Sequence, residues 1–356
     1  MCKKTGIYTT VFSAACLSSL VTFANADDAK PATAEFTEIR TIWDLSRIPD
    51  REKANIEFPG LIRFQGKWYS TFREGDIHGN HLTGRSRIIR SSDAEQWESV
   101  ALMEWEGGDV RDPQLSITPE GQLMLTACVW FVSQAEMVGI RGTPQSDQEQ
   151  DVLRQSVTWL SADGENWGSA YACPTGVNTW RWSTTWHNGM GYSIGYAGKD
   201  HDGRLYRTRD GKRWEVLAED IFPDDGQGTE TALVFGPDDV AYCLLRHHAQ
   251  PRTTRLGISR FPHTEWEWKD LGIAALGGPE MVRLSDGRLV AAGRLSGRVT
   301  LFWVDPEAGS VTEFAKAPGT SYPGVVEHEG MLWVTYEVRG SDGARIELGK
   351  VAIPEK

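Results

Sequence analysis

Residues able to do chemistry recur at two kinds of place in this sequence. They stand just before short apolar strands, and at the far ends of the strands that follow. Gly228-Thr229-Glu230 opens one such strand and Arg246 ends the next. Ser321-Tyr322-Pro323 opens another, and Tyr336-Glu337 ends its follower. Arg294 ends VAAGR, Arg73-Glu74-Gly75-Asp76 runs on from KWYSTFR, and Arg111-Asp112-Pro113 precedes QLSIT. His78, His81, His247 and His248 fall at the same ends, and Trp180, Arg181, Trp182 and Trp186 crowd another. Guanidinium groups offer paired, permanently charged donors to a carboxylate. A phenol with a free pKa near 10 becomes a nucleophile only if a neighbouring base takes its proton. A protonated Asp can deliver a proton to a leaving oxygen. Taken singly, Arg and Glu at strand ends are ordinary ion pairs, and Trp is explained as well by packing as by a sugar platform. No His, Asp or Cys cluster has metal-ligand spacing, so neither a metal nor an organic cofactor is expected.

Only a repeated architecture can bring such distant residues together. A turn followed by an alternating strand appears six times: Gln65-Gly66, Glu120-Gly121, Asn188-Gly189, Asp238-Asp239, Asp286-Gly287 and Glu329-Gly330. The spacing averages about 53 residues, within the range of propeller blades. A further short strand precedes each turn, as in FPGLIRF and YPGVVEH. A second motif, S/T-x-D-x-x-x-W, interlocks with the first at Ser91–Trp97, Ser161–Trp167 and Thr208–Trp214. Its hydroxyl and Asp suit a hairpin turn, Gly supplies positive φ, and Trp packs between sheets. Degraded copies lie at Ser259–Trp266 and at Asp305. The expectation is an all-β six-bladed propeller, four antiparallel strands per blade, in one domain over 27–356. FTEIRTIW near the start should close the ring beside ARIELGKVAI at the end. By alternation, the starts of first strands and the ends of second strands share one face.

Composition narrows the classes. The chain has 356 residues and a formal charge of −12 without a basic tract, which argues against binding nucleic acid through phosphates. Fifteen Trp suit a Trp-using repeat or a sugar-binding surface. Lys3 and Lys4, an apolar run over Ile7–Phe23 and Ala24-Asn25-Ala26 read as a secretory signal peptide cleaved after Ala26. The expected location is therefore secreted or periplasmic, without stable membrane insertion. A lipidated Cys16 is disfavoured by Ser13, where Leu is wanted. Cys128, Cys173 and Cys243 remain, an odd number, so at least one is free or pairs between chains. Buried small side chains is the reading adopted for all three.

The repeats resemble the sialidase (neuraminidase) superfamily, whose Asp-box turns have this character, over about residues 55 to 340. The boxes here run one residue shorter between Asp and Trp. The resemblance implies a glycosidase acting on a terminal acidic sugar, with a glycan as partner. It implies Tyr322 as nucleophile, Glu230 as the base beside it, and Arg246 and Arg294 as grips on the substrate carboxylate. It implies Asp76 as acid/base and Glu337 as an Arg-orienting carboxylate, with Arg73, Arg111, Asp112 and Glu57 also at the site. A phenol suits a ulosonic acid, because a carboxylate nucleophile would be repelled by the carboxylate on the anomeric carbon, and sialidases are the Tyr exception among glycosidases. One position departs. The Arg-Ile-Pro strand of sialidases falls here on Glu57-Phe58-Pro59-Gly60-Leu61, so Glu replaces Arg. Arg47-Ile48-Pro49 is too far from the Gly66 turn to serve. Glu57 and Glu337 then need a cation between them or a proton on one, and Arg73, Arg47 or Arg51 are the candidates.

Two other chemistries fit the same residues. A uronate-directed polysaccharide lyase needs a base, an acid and a cation, which a His, Tyr322 and Arg246 supply. A carbohydrate-binding propeller needs only the polar and aromatic surface. The polar stretch from Trp130 to Asp151 is expected to form a pocket wall or lid, or a flexible surface insertion.

Overall fold

A computed structural model describes residues 33–48, 55–75, 84–131, 154–197, 202–223 and 226–355, all within one compact unit, Pro31–Lys356. Six antiparallel sheets make up this unit, and each ring-facing strand begins a blade. The inner strands Asn55–Phe64, Asp109–Ile117, Thr185–His187, Gly228–Phe235, Gly277–Arg283 and Gly324–His328 touch in that order, and the last returns to the first. The architecture is a closed six-bladed propeller. In the sixth blade the outermost strand is Phe36–Asp44, which pairs with Gly343–Ala352 and so ties the N-terminal side of the unit to the C-terminal side. In the third blade the inner strand is split, Thr179–Arg181 and Thr185–His187 both pairing with Met190–Ala197.

The recurring turns explain why each repeat folds locally. Gln65-Gly66, Asn188-Gly189 and Glu329-Gly330 have positive φ at both residues. That is the geometry matching the right-handed twist of a two-residue hairpin. On the same face, Asp93, Asp163 and Asp210 each accept two successive main-chain N–H groups and a Ser or Thr hydroxyl through Oδ1. The middle residues Ala94, Gly164 and Gly211 take positive φ. Asp305 keeps the two main-chain bonds without the hydroxyl. Trp97, Trp214 and the half-buried Trp167 close these turns against the sheets.

The opposite face carries a second recurring device. The inner strands of blades one, two and five each slip register, between Glu57 and Gly60, between Arg111 and Gln114, and between Gly277 and Glu280. The residue before a proline takes positive φ in each: Phe58 (60°), Asp112 (48°) and Gly278 (55°). Proline lacks the N–H that a ladder would need, so it fits a bulge, and the bulge turns the preceding residue off the sheet. Tyr322-Pro323 stands at the same place in blade six, because Gly324 pairs with Thr335 as Gly60 pairs with Thr71. Blade four slips likewise between Gly228 and Thr231, around Glu230.

Candidate active site

These bulges gather side chains from different blades at one mouth of the propeller. The rings of Phe58 and Tyr322 lie 4.8 Å apart, and Trp182 meets Tyr322 edge-on at 6.1 Å. Gly278 stands against the Tyr322 ring, and a Cβ there would come within 2.0 Å of Cγ. The fifth blade thus contributes a bare backbone where the others contribute side chains. Tyr322 is 8 % exposed and joins a cluster with Phe58, Trp182, Tyr196 and Phe222.

The polar centre is Glu230. Tyr322 donates its hydroxyl to Glu230 Oε1 at 2.8 Å. Arg246 Nη1 donates to the same oxygen at 2.6 Å and lies 3.1 Å from the Tyr322 hydroxyl. Oε2 accepts the Gly278 main-chain N–H at 2.7 Å. Both carboxylate oxygens are therefore fixed, one by charge and one by backbone. The Arg294 guanidinium sits 5.1 Å over the Tyr322 ring. Burial pushes the Tyr322 phenol well above its ordinary pKa, the Glu230 charge adds to this, and Arg246 opposes it. Burial works against the Arg246 charge, but Glu230 and Tyr322 hold it above its ordinary value. The resting state is a neutral phenol aimed at a fixed carboxylate, with a permanent cation touching both.

The remaining sequence candidates divide. Arg73 has no exposed side-chain surface, and it grips Asp109 with Nε (2.8 Å) and Nη2 (2.9 Å) while Nη1 reaches Glu57 at 3.4 Å. It forms part of the wall, not a grip presented to a ligand. Arg111 also binds Asp109, through Nε at 2.8 Å, and stacks over Trp130 at 4.9 Å. Glu74, next to Arg73 in the strand, is buried and paired with Arg87 and Arg85. Asp112 is 6 % exposed, and its Oδ1 meets no hydrogen-bond partner among the described residues. Burial first, then the Glu230 charge, raises its pKa well above the carboxylate range, against the pull of Arg111. Asp76, His78, His81, Arg51 and the stretch 132–151 lie outside the described residues.

Glu57 and Glu337 are joined by a residue the sequence reading did not single out. Arg339 donates Nη2 to Glu57 at 2.8 Å and pairs through Nε with Glu337 Oε1. Burial leads in raising the Glu337 pKa, and Arg339 counteracts it. The second strand of blade six runs on to Gly340, three residues past the Glu337 end expected of it. Arg339 lies on that extension, on the same strand face as Glu337 by two-residue alternation, which is the signal that could have found it. Arg47 serves elsewhere, donating to the Trp97 carbonyl at 3.0 Å and covering the Trp43 ring. Trp180 and Trp182 are buried and Trp180 stacks on Tyr196, which makes them packing residues. Cys128 and Cys243 are buried, but Cys173 is only half-buried, which corrects the expectation for that residue; none of the three is in a disulfide. No group of His, Cys, Asp or Glu among the described residues could hold a metal ion. No described helix is long and apolar enough to cross a membrane.

Solved structures share this architecture. The fold is that of the sialidases. Trypanosoma rangeli sialidase in complex with 2,3-difluorosialic acid, a covalent intermediate, superposes with a TM-score of 0.64 at 12% identity over 83% of this chain and 54% of its own. A Hadza microbial sialidase gives 0.65 at 13% identity, over 84% of this chain and 66% of its own. A protein of unknown function from Dyadobacter fermentans gives 0.76 at 15% identity, over 90% of this chain and the whole of its own. This chain thus spans a little over half of the trypanosomal enzyme and about two thirds of the microbial one. No protein family matches the sequence, and no curated protein does.

Proposed function

We propose that this chain is a sialidase-like exo-glycosidase that releases a terminal acidic sugar, a sialic acid or related ulosonic or uronic acid, through Tyr322. The observation that carries the reading is the shared oxygen of Glu230, which accepts from Tyr322 and Arg246 together. As the phenol oxygen attacks the anomeric carbon, its proton passes to Glu230 Oε1. Arg246, already 3.1 Å away, stabilises the charge that grows on the phenol oxygen. Gly278 N–H holds the other carboxylate oxygen, so the base does not turn away. Arg246 and Arg294 face the same ring and receive the substrate carboxylate between them. With Arg73 committed to Asp109 and Glu57, two guanidinium groups hold the anion rather than three. Asp76 is the proposed donor of the proton to the leaving oxygen. The signal peptide and a secreted or periplasmic location belong to the same reading. The purified protein should be assayed against a panel of sialosides, other ulosonides and uronides. A free reducing acidic sugar supports hydrolysis, an unsaturated product supports a lyase, and an unchanged bound ligand supports a binding propeller.

A further inference from the structure

Blades two and three enclose a buried cation that lacks a carboxylate. Arg181 has no exposed surface, and no Asp or Glu pairs with it among the described residues. Its guanidinium lies 4.9 Å over the Trp214 ring and 5.5 Å over the Tyr206 ring, and Nη2 donates to the Ser156 carbonyl at 3.3 Å. Nε meets no acceptor among the described residues. Nη1 points at Cys173 Sγ, 3.8 Å away. Burying a charge without a counter-ion costs several kcal/mol, roughly, even after relaxation. Aromatic faces offset only about 0.5–2 kcal/mol of it.

We propose that the Cys173 sulfur, in its thiolate form, balances Arg181, and that it is a modification site for small soft electrophiles, hydroperoxides among them. Thr175 Oγ1 lies 3.2 Å from the sulfur. That hydroxyl has one proton and also lies 2.9 Å from the Trp214 carbonyl. In the thiolate state the proton turns to sulfur, and the Trp214 main-chain N–H is a further donor. Burial opposes this, yet Thr175 and Arg181 bring the Cys173 pKa below its ordinary value. The other ionisable groups bearing on Arg181 are Tyr206 and Cys128. Lys212 lies farther along, over the Tyr171 ring. Access comes from the outer strand Tyr171–Val177, where Ala172 and Pro174 on either side are exposed and Cys173 is half-buried. Cys128 and Cys243 are fully buried, with thiols pushed up to about 12 and higher still. With hydrogen peroxide, the sulfur attacks one oxygen, an S–O bond forms and the O–O bond breaks. Hydroxide leaves and takes up a proton as water, the sulfur being oxidised by two electrons to the sulfenate.

The test is the pH profile of iodoacetamide alkylation at each cysteine of the native protein, read by peptide mass spectrometry. The same peptide alkylated in denaturant gives the unfolded reference. Cys173 should react first, with a midpoint below that of the unfolded chain, and peroxide should leave a dimedone-trappable sulfenate there. Thr175→Val and Arg181→Met, each checked for folding by Tm, should raise the midpoint. The proposal is overturned if the native midpoint equals or exceeds the unfolded one, if neither folded variant moves it, or if Cys173 stays unmodified.

Discussion

Replacing Tyr322 by Phe removes one oxygen from the centre of the site and nothing else. The ring keeps its contacts with Phe58, Trp182 and Gly278. Glu230 Oε1 keeps Arg246 at 2.6 Å and Oε2 keeps the Gly278 N–H, so no buried charge is orphaned. A hydrogen bond to a charged group contributes roughly 1.5–3 kcal/mol, but the lost hydroxyl no longer has to be desolvated. The net change in stability should be about 1 kcal/mol or less, a few degrees in Tm. Under the proposed mechanism activity should fall far more, because no other group would hold the nucleophile's place. A loss of about 10³-fold or more in kcat corresponds to roughly 4 kcal/mol of barrier. Hydrolysis of a fluorogenic sialoside and a thermal melt measure the two effects separately. A Tyr322→Phe protein that keeps more than a tenth of the wild-type kcat refutes the reasoning, as does one that fails to fold.

Three further outcomes follow from the surrounding structure. Gly278→Ala should abolish activity and lower stability markedly, by about 3 kcal/mol or more, because the new Cβ meets the Tyr322 ring at 2.0 Å from a backbone at φ 55°; a wild-type melt would contradict this. Arg339→Met should cost about 1–3 kcal/mol, and increasingly so as pH rises, because Glu337 must then carry its charge beside Glu57 without Arg339; Tm against pH checks it. Glu280 is half-buried, and its desolvation raises the carboxyl to about 8. The folded state therefore holds a proton that the unfolded chain loses near 4.5, and stability should fall between those pH values. Glu280→Gln should flatten that decline in a Tm–pH series, whereas an unchanged slope would show that another group is responsible.

The blades were legible because every repeat carries its own local instruction. Asn188-Gly189 or Glu329-Gly330 dictates a tight hairpin whatever surrounds it, and Asp210 dictates a turn by accepting its own following N–H groups. Phe36–Asp44 was legible as the closing strand because a ring leaves one edge to fill. Register alone brought Tyr322, Glu230, Arg246 and Arg294 to one face, since they occupy strand ends that the repeat aligns, whereas their selection as site residues rested on the resemblance to sialidases. What register could not give was how the cations are shared. Arg73 looks like a free guanidinium in the sequence, yet Asp109, from the start of the next blade, occupies it. Arg339 is an exposed residue, yet it spans two buried carboxylates that are far apart in sequence, Glu57 and Glu337. Charge partners across blades depend on side-chain reach, and strand spacing does not encode that. Asp112 is similar: its residue type is visible, but that its Oδ1 meets no donor among the described residues comes from the bulge that turns it inward.

The central claim is that Tyr322 bonds to the sugar. The most direct measurement is to trap that bond with a 2,3-difluorinated sialic acid, in which the second fluorine slows breakdown of the adduct. Peptide mass spectrometry of the quenched protein then locates it. The account predicts one added sugar mass, on the peptide and fragment ions containing Tyr322, and none in Tyr322→Phe. Turnover of a sialoside with no adduct, or with the added mass on a different residue, would contradict it.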